Sequence, residues 1–231
     1  MYIMIDNLII VKEDIKSAII NKQVTPHGGL ITYADSIRAI DNNIMNISFY
    51  NISFGGSTFS SAPLINTADY TDMSGMFDSC YSLVSIPQLD TSNVTKMRYM
   101  FYSCISLVSI PQLDTSNVTD MYRMFYGCRN LTELPLLDCS SLQTNVDMFY
   151  NCGNLRVVGG FKNLGKTEQF QYLNLSYEPY LTKQSKLNII NNLYDRASAG
   201  YPNSTIRFFD NYIIPDEVMA IATKKGWTIT Y

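Results

Sequence analysis

The sequence has few of the residues on which most enzymes depend. It contains a single histidine, His27, among 231 residues, and only 16% of the residues are charged. An imidazole base for a Ser-His-Asp or Cys-His arrangement could therefore come only from His27, which lies in a turn rich in glycine and proline. We expect a protein that is not an enzyme, with no catalytic residues, no cofactor and no metal.

Long apolar stretches and an excess of positive charge are also missing. No stretch approaches the roughly 20 apolar residues that cross a membrane, and the formal net charge is −3. We therefore expect neither membrane insertion nor a nucleic-acid partner. The first ten residues are apolar but lack a cationic leader and a small-residue cleavage site, so we expect no signal peptide.

A 24-residue repeat dominates the chain. Three units occupy residues 73–96, 97–120 and 121–144, and a truncated fourth occupies 145–155. A strict period of this length predicts stacked repeats, because one unit buries too little apolar surface to offset the entropy of ordering it. The repeated positions include Met76, Met100, Met124 and Met148; Cys80, Cys104, Cys128 and Cys152; and Leu83, Leu107, Leu131 and Leu155.

Each unit has the same internal pattern. The segment LVSIPQL predicts a short strand that pairs with its copy in the next unit, and DTSN predicts a turn. The segment NVTKMRYMFYSC places its apolar residues as one face of a short or irregular helix would. Equivalent prolines indicate that the array begins near residue 59, and the pattern fades by about Lys166.

The repeat resembles the BspA-type leucine-rich repeats of bacterial surface proteins. Residues 89–110, LDTSNVTKMRYMFYSCISLVSI, combine the DTSNVT segment, the Met-Phe-x-x-Cys segment and the Leu-x-x-Ile strand that mark this family. The resemblance implies an α/β solenoid, that is, a leucine-rich-repeat-like array of 24-residue units. It also implies a non-enzymatic adhesive or structural role.

Residues 1–43 predict a separate helical module. One amphipathic helix is expected from Lys12 to Gln23, and a second after the turn TPHGG. Residues 11–40 resemble a short helical module of bacteriophage structural and appendage proteins, which implies that these helices attach the chain to a particle. The candidate attachment residues are Ile15, Ile19, Tyr33, Ile37 and Ile40.

The remaining segments predict caps on the repeat array. Residues 44–54 alternate as one or two strands, so the array with its leading strands spans 44–168. Residues 169–231 read as strand, helix, strand, helix, strand, with helices over 183–197, capped by Thr182, and over 215–225. This last segment resembles the closing units of BspA-like proteins, including those predicted in phages.

The repeated cysteines and aspartates have two interpretations each. Four cysteines in one inward file are expected to be small buried hydrophobes, not zinc ligands or disulfides, because CxxC pairs are absent. Cys139 falls in a turn position held elsewhere by threonine, so we expect it to be exposed and the most reactive thiol. Either a cation or hydrogen bonds from the following amides would relieve the file of like charges formed by Asp90, Asp114 and Asp138.

A file of aromatic residues is the candidate binding surface. Asp78, Tyr102, Tyr126 and Tyr150 share one repeat position, and nearby variable positions hold Arg98, Tyr122, Arg123 and Arg129. Tyrosine offers a large contact area at low entropic cost, which favours a partner surface. Self-association or aromatic packing along the array is an equal alternative. The strand positions, such as Val84 and Val108, form a second candidate face.

Two functions follow from these resemblances. The first is a bacteriophage virion component, such as a head or tail appendage, a decoration or a fibre protein, located in the virion. Its expected partners are other virion proteins or a host-surface protein or glycan, and we expect a homo-oligomer. The alternative is a bacterial cell-surface leucine-rich-repeat adhesion module.

Overall fold

The computed structural model describes residues 2–5, 8–11, 53–62, 65–170, 172–209 and 214–231. The chain divides into two compact regions, Met1–Tyr50 and Asn51–Tyr231. In the first, strands β1 (Tyr2–Ile5) and β2 (Leu8–Val11) pair antiparallel. The sequence places Asp6 and Asn7, two turn-forming residue types, between them, and our sequence analysis did not predict this hairpin.

The helices predicted for residues 12–43 lie outside the described residues. The same holds for all five candidate attachment residues and for most of the strands predicted at 44–54. Within the described part of the chain, neither helix has the length and apolarity that a membrane crossing requires.

In the second region, equivalent residues of successive repeat units are direct neighbours. Strands β3 (Glu133–Leu134) and β4 (Leu137–Asp138) pair in parallel with β5 (Val157–Val158) and β6 (Phe161–Lys162), and partners are 24 residues apart. Pro135 separates β3 from β4, since proline has no N–H to donate to a ladder. Single parallel bridges at the same spacing join Ser61 to Ser85, Asp72 to Lys96, Lys96 to Asp120, and Asp120 to Thr144.

The Met-Phe-x-x-Cys segment is a series of turns and not the short helix that its spacing predicts. Every second amide leaves the unit: the N–H groups of Met97, Tyr99, Phe101 and Ser103 donate to carbonyls of the next unit at 2.7–3.0 Å. The amides between them close local turns, for example Met100 N–H to the Met97 carbonyl at 3.3 Å. A helix would need both sets of amides for itself, so the neighbouring unit decides the conformation.

Two positions in each unit have left-handed backbone. One set is Gly75, Tyr99, Arg123 and Asp147, and the other is Ser79, Ser103, Gly127 and Asn151, with φ between 53° and 74°. Glycine adopts this conformation freely, whereas other residues pay roughly 1–2 kcal/mol for it. The recurrence of φ > 0 at equivalent positions shows that the ladder between units imposes the conformation on whichever residue is there.

The core follows the inward files of the repeat. Met100, Phe101, Cys104 and Leu107 and most of their equivalents are at most 3% exposed. Phe77, Phe101, Phe125 and Phe149 stack one on the next with ring centroids 5.5–5.8 Å apart and ring planes within 6°. Burial of each such side chain is worth roughly 1.5–3 kcal/mol, so the stacked files supply much of the stability.

The C-terminal segment closes the second region with a parallel sheet. Strands β7 (Tyr172–Leu175), β8 (Ser204–Phe208) and β9 (Trp227–Thr230) pair in that order. Helices α1 (Lys183–Asn191) and α2 (Asp216–Lys224) lie between them in sequence. The order of elements matches the prediction, as does the Thr182 cap, whose hydroxyl accepts from the Ser185 amide at 3.2 Å.

Helix α1 ends earlier than predicted. The sequence pattern continued to residue 197, but Asn192 caps the helix and turns follow. The continuation is occupied instead by Arg196, which is 1% exposed and donates to the carbonyls of Gly165, Thr167 and Pro202 at 2.6–2.9 Å. These bonds hold the end of the repeat region to the closing sheet, and they require a non-helical backbone around Arg196.

Candidate binding face

Four stacked rows of the repeat carry the candidate surface. The rows are residues 72–81, 96–105, 120–129 and 144–153, and each is joined to the next by the alternate amide bonds described above. We call the surface formed by their outward aromatic and basic side chains the Tyr–Arg face. Its members are Arg98, Tyr99, Tyr102, Tyr122, Arg123, Tyr126 and Tyr150.

A ladder of tyrosine rings runs across these rows. Tyr102 and Tyr126 stack with centroids 4.9 Å apart and ring planes at 15°, and Tyr126 and Tyr150 repeat this geometry at 4.9 Å and 16°. Tyr177, from the closing segment, continues the ladder at 4.5 Å from Tyr150 with a tilt of 60°. The sequence analysis missed Tyr177 because it lies beyond the strict period, where no repeat position identifies it.

Two arginines connect the tyrosine ladder to its neighbours. The Arg98 guanidinium lies 5.0 Å from the Tyr122 ring centroid, and that of Arg123 lies 4.9 Å from Tyr122 and 5.3 Å from Tyr126. Tyr99 packs edge-on against both Tyr102 and Tyr122, at 5.6 and 5.2 Å. The predicted residues Arg98, Tyr102, Tyr122, Arg123, Tyr126 and Tyr150 are therefore brought together on one continuous surface.

Carboxylates balance the charge of the arginines. Arg98 pairs with Asp120 at 3.1 Å, and Arg123 pairs with Asp147 at 3.0 Å. The hydrogen bond from Asp147 raises the pKa of Arg123 further above its already high value. Burial and a hydrogen bond with Tyr99 raise the pKa of Tyr122, so its hydroxyl keeps its proton at neutral pH. The face is thus aromatic and close to neutral.

Arg129 does not join this face. It shares a repeat position with Tyr81 and Ile105, and its side chain is exposed. Within the described part of the chain it has no ring contact and no ion pair. The sequence placed it near the face because it is basic and close in the chain, but the turn at Gly127 and Cys128 separates it from the ladder.

The stacking determines what the face can do chemically. Because each ring covers the face of the next, the ladder presents ring edges and hydroxyl groups to solvent. The hydroxyls of Tyr102, Tyr126 and Tyr150 have no hydrogen-bond partner among the described residues, which leaves them free to donate or accept. Such a surface suits a partner with complementary edges better than a sugar ring that needs an open aromatic face.

The aspartate file lines a second feature, an open groove of about 650 Å³. Asp90 and Asp114 each accept a hydrogen bond from the amide two residues later, at 3.1 and 3.0 Å, and the Ser92 hydroxyl and amide lower the pKa of Asp90. At Asp138, partial burial opposes ionisation, but the Lys162 ammonium at 2.7 Å and Ser140 still lower its pKa. Hydrogen bonds and one ion pair therefore relieve the file. No set of three or more His, Cys, Asp or Glu side chains within the described ranges is placed to hold a metal ion.

The strand positions form a flatter surface. Val84, Val108 and Val157 are 41–45% exposed and lie on successive units, separated by the more polar Thr132 and Glu133. Single exposed apolar side chains are common on soluble surfaces, so this face carries less chemical information than the Tyr–Arg face.

The four cysteines of the repeat are free and buried, as predicted. Each thiol donates to a backbone carbonyl of the preceding unit, at 3.1, 3.0, 2.9 and 2.7 Å for Cys80, Cys104, Cys128 and Cys152. Burial raises the pKa of Cys80 to about 11 and that of Cys104 further still. The thiols act as weak hydrogen-bond donors inside an apolar file.

The prediction that Cys139 is exposed was wrong. Its side chain is only 1% exposed, and burial raises its pKa well above the ordinary value. Thr91 and Thr115, which hold the same position in earlier units, are also buried and donate to aspartate carbonyls of the next unit at 2.8 and 2.9 Å. The turn points this position inward, which the polarity of threonine had concealed.

Comparison with known proteins gives one family. The model of the family described as "Mycoplasma protein of unknown function, DUF285" matches residues 44–159, which contain all four rows of the Tyr–Arg face. Neither the curated proteins nor the solved structures contain a match to the chain.

Proposed function

The chain belongs to the DUF285 family, and from that premise we propose that it is a non-enzymatic binding scaffold built as a BspA-like leucine-rich-repeat solenoid. Support for the solenoid comes from the 24-residue offset of the bridges and of β3 with β5 and β4 with β6. It also comes from the parallel stack of Phe77, Phe101, Phe125 and Phe149. In this architecture one surface position recurs at every turn, so a short motif becomes an extended contact surface.

The observation that carries the binding role is the tyrosine ladder flanked by arginines. Tyrosine and arginine are the residue types most enriched where protein contacts contribute much of their free energy. Here the rings are pre-ordered by stacking, and the guanidinium groups are held by Asp120 and Asp147. Because these side chains are already ordered, a partner would lose little conformational entropy on binding.

We place the scaffold in a bacteriophage virion, as a head or tail appendage, a decoration or a fibre protein. The basis is the resemblance of residues 11–40 to a helical module of phage structural proteins. In this proposal that module attaches the chain to the particle, and the Tyr–Arg face contacts another virion protein, a host-surface protein or a second copy. The alternative is a bacterial cell-surface adhesion module, which the DUF285 membership also supports.

The location is tested by finding the chain in particles or on cells. Phage particles and bacterial envelopes from the organism that encodes the chain are purified separately, and each is analysed by mass spectrometry. Recovery in particles at a fixed ratio to the capsid protein supports the virion proposal. Recovery only in washed envelopes replaces it with the adhesion module, and recovery only in the soluble cell extract contradicts both.

The contact role is tested with matched variants in that purified fraction. Tyr126→Ala and Arg123→Glu change the Tyr–Arg face, whereas Val84→Ser changes the strand face and serves as the control. We expect the first two variants to weaken retention on particles or cells roughly tenfold or more, as loss of a contact hot spot does. Equal retention of all three variants would show that the contact surface lies elsewhere.

A further inference from the structure

Each column of the Tyr–Arg face is complementary to the same column read in the opposite direction. The central column runs Asp78, Tyr102, Tyr126, Tyr150, and a neighbouring column runs Asp72, Lys96, Asp120, Thr144. Two further columns run Ser74, Arg98, Tyr122, Val146 and Gly75, Tyr99, Arg123, Asp147. In every column, therefore, the second and third rows hold residues of complementary chemistry.

These columns form one continuous surface. Arg98 reaches Asp120 in one neighbouring column and stacks over Tyr122 in its own, and Arg123 reaches Tyr126 in the central column. The tyrosine rings that set the row spacing are 4.9 Å apart. A second surface with the same spacing would match it row for row, and a second copy of the chain has that spacing by identity.

We propose that the Tyr–Arg face is a self-association surface, through which two copies of the chain pack antiparallel about a two-fold axis between the second and third rows. This inference rests on the proposed function, in which the face is a contact surface, and it names the partner. The axis lies across the ladder, so each column meets the same column of the other copy, with its first row facing the fourth and its second row facing the third.

The pairs created by this axis are favourable throughout. Lys96 meets the partner's Asp120, Arg98 meets the partner's Tyr122, and Arg123 meets the partner's Tyr99. In the central column Tyr102 meets the partner's Tyr126. Opposite charges attract, and a guanidinium over a tyrosine ring is favourable. Each of these pairs occurs twice, because a two-fold interface is self-complementary.

The ends of the central column also fit. One carboxylate oxygen of Asp78 accepts from the Ser79 hydroxyl at 2.8 Å, and the carboxyl group is only half-buried. The Tyr150 side chain is 36% exposed, and its hydroxyl has no hydrogen-bond partner among the described residues. An antiparallel dimer brings this phenol to the partner's Asp78, and a hydroxyl donating to a carboxylate is a strong hydrogen bond.

The opposite alignment is unfavourable. If two copies met with their rows in the same direction and the central columns face to face, Asp78 would oppose the partner's Asp78. Shifting the contact to a neighbouring column would oppose Arg98 with the partner's Arg98, or Arg123 with the partner's Arg123. Like charges opposed in an interface cost binding free energy, so the surface pattern selects the antiparallel arrangement.

Disulfide trapping tests the register directly. Full-length chains with Tyr102→Cys and with Tyr126→Cys are purified separately, mixed, and exposed to a mild oxidant. Because Tyr102 faces the partner's Tyr126, we expect the mixture to form a disulfide-linked dimer containing one chain of each kind, roughly tenfold faster than either variant alone forms its own dimer. The native thiols are buried and do not compete. A mixture of Val84→Cys and Val108→Cys, on the strand face, is the control and should remain unlinked.

Sedimentation equilibrium of the unmodified full-length chain complements the trapping. We expect a reversible dimer that Arg123→Glu shifts toward monomer by roughly tenfold in its dissociation constant, with an unchanged circular dichroism spectrum. Faster linkage within a single variant than between the two, or a monomer at every concentration, overturns the dimer. If the chain is monomeric but Tyr126→Ala still loses retention on particles or cells, the contact role survives and only the identity of the partner is wrong.

Discussion

At the scale of single residues, the repeat position matters more than the residue type. Cys139 replaces Thr91 and Thr115 at a position that points inward, and it is buried as they are. The threonine hydroxyls donate to a carbonyl of the next unit, whereas the Cys139 thiol lies 3.9 Å from the Leu137 carbonyl within its own unit. The position therefore keeps its burial but loses a hydrogen bond between units.

A thiol-labelling experiment follows from this burial. All five cysteines should resist alkylation at pH 8 in the folded protein and react together on unfolding, because they are buried, and burial raises the pKa of Cys80, Cys104, Cys128 and Cys139. Mass spectrometry of briefly labelled protein measures this. Early labelling of Cys139 alone would mean that its turn opens while the rest of the array stays folded.

At the scale of secondary-structure elements, the junction between the repeats and the closing sheet depends on close packing. Gly165 has φ +80°, and a Cβ atom added there would lie 2.4 Å from the Trp227 ring. Arg196 and Trp227 both pack over this glycine, and the Trp227 indole N–H donates to the Tyr194 carbonyl at 2.9 Å. The segment between β6 and α1 is therefore held by contacts that tolerate no additional atom.

Substitution of two glycines separates packing from backbone strain. Gly200→Ala has a similar φ of +71° with no atom within 4 Å of the added Cβ, so it should cost only about 1–2 kcal/mol of unfolding free energy. Gly165→Ala adds a clash with Trp227 and should cost about 1–3 kcal/mol more. Chemical denaturation of both variants measures the difference. Equal losses would show that Trp227 moves aside at little cost.

The segment after β7 contains a buried carboxyl group. The Glu178 side chain is 1% exposed, and neither carboxyl oxygen has a hydrogen-bond partner. Burial raises its pKa to about 8, although the nearby amides of Leu155 and Cys152 oppose the shift. Since the group ionises near pH 4.5 in the unfolded chain, the unfolded state gains relative stability as the pH rises from about 4.5 to 8.

Glu178→Gln should remove this pH dependence. The wild-type protein should lose on the order of 3 kcal/mol of unfolding free energy between pH 5 and pH 8.5 through this group, whereas the variant should keep it. At pH 5 the two should be similarly stable, because Glu178 is then protonated in the folded state. The exposed Glu133→Gln is the matched control. A parallel decline in stability for wild type and Glu178→Gln would show that Glu178 ionises at its ordinary pH.

At the scale of the whole molecule, the chain divides between residues 50 and 51. The second region contains the stacked phenylalanine files, the Tyr–Arg face and the closing sheet, and its first described residues already bond to the repeat. The Phe54 amide donates to the Met76 carbonyl at 2.7 Å, and the Phe54 ring stacks 5.7 Å from Phe77. The aromatic file therefore extends to Phe54 within the second region itself.

A chain that starts at Asn51 should fold by itself. We expect its melting temperature to lie within a few degrees of that of the full chain, because the phenylalanine and cysteine files are intact. If residues 1–50 attach the chain to a particle, the shortened chain should fail to be incorporated. Thermal circular dichroism and co-purification with particles measure the two effects. An unfolded shortened chain would make residues 1–50 an integral cap, and attachment would then belong to the Tyr–Arg face.

The sequence by itself determined which positions repeat and which of them are apolar. A strict period of 24 residues identifies the inward files, such as Met100, Phe101 and Cys104, because every unit meets the same neighbours and any polar residue at those positions would be buried repeatedly. The elements from Tyr172 to Thr230 were also predictable, because their caps and apolar spacing are local signals. The tyrosine file was recognised as a surface for the same reason of period.

Only the tertiary structure decided how these positions are used. Amides of Met97, Tyr99 and Phe101 bond to the next unit, which replaces a helix by turns and imposes left-handed backbone on Tyr99. Contacts between distant segments bring Tyr177 onto the ladder and turn Cys139 inward, and the turn after the ladder leaves Arg129 outside it. These outcomes depend on hydrogen bonds and packing between residues 23 or more apart in the chain, for which a local pattern contains no signal.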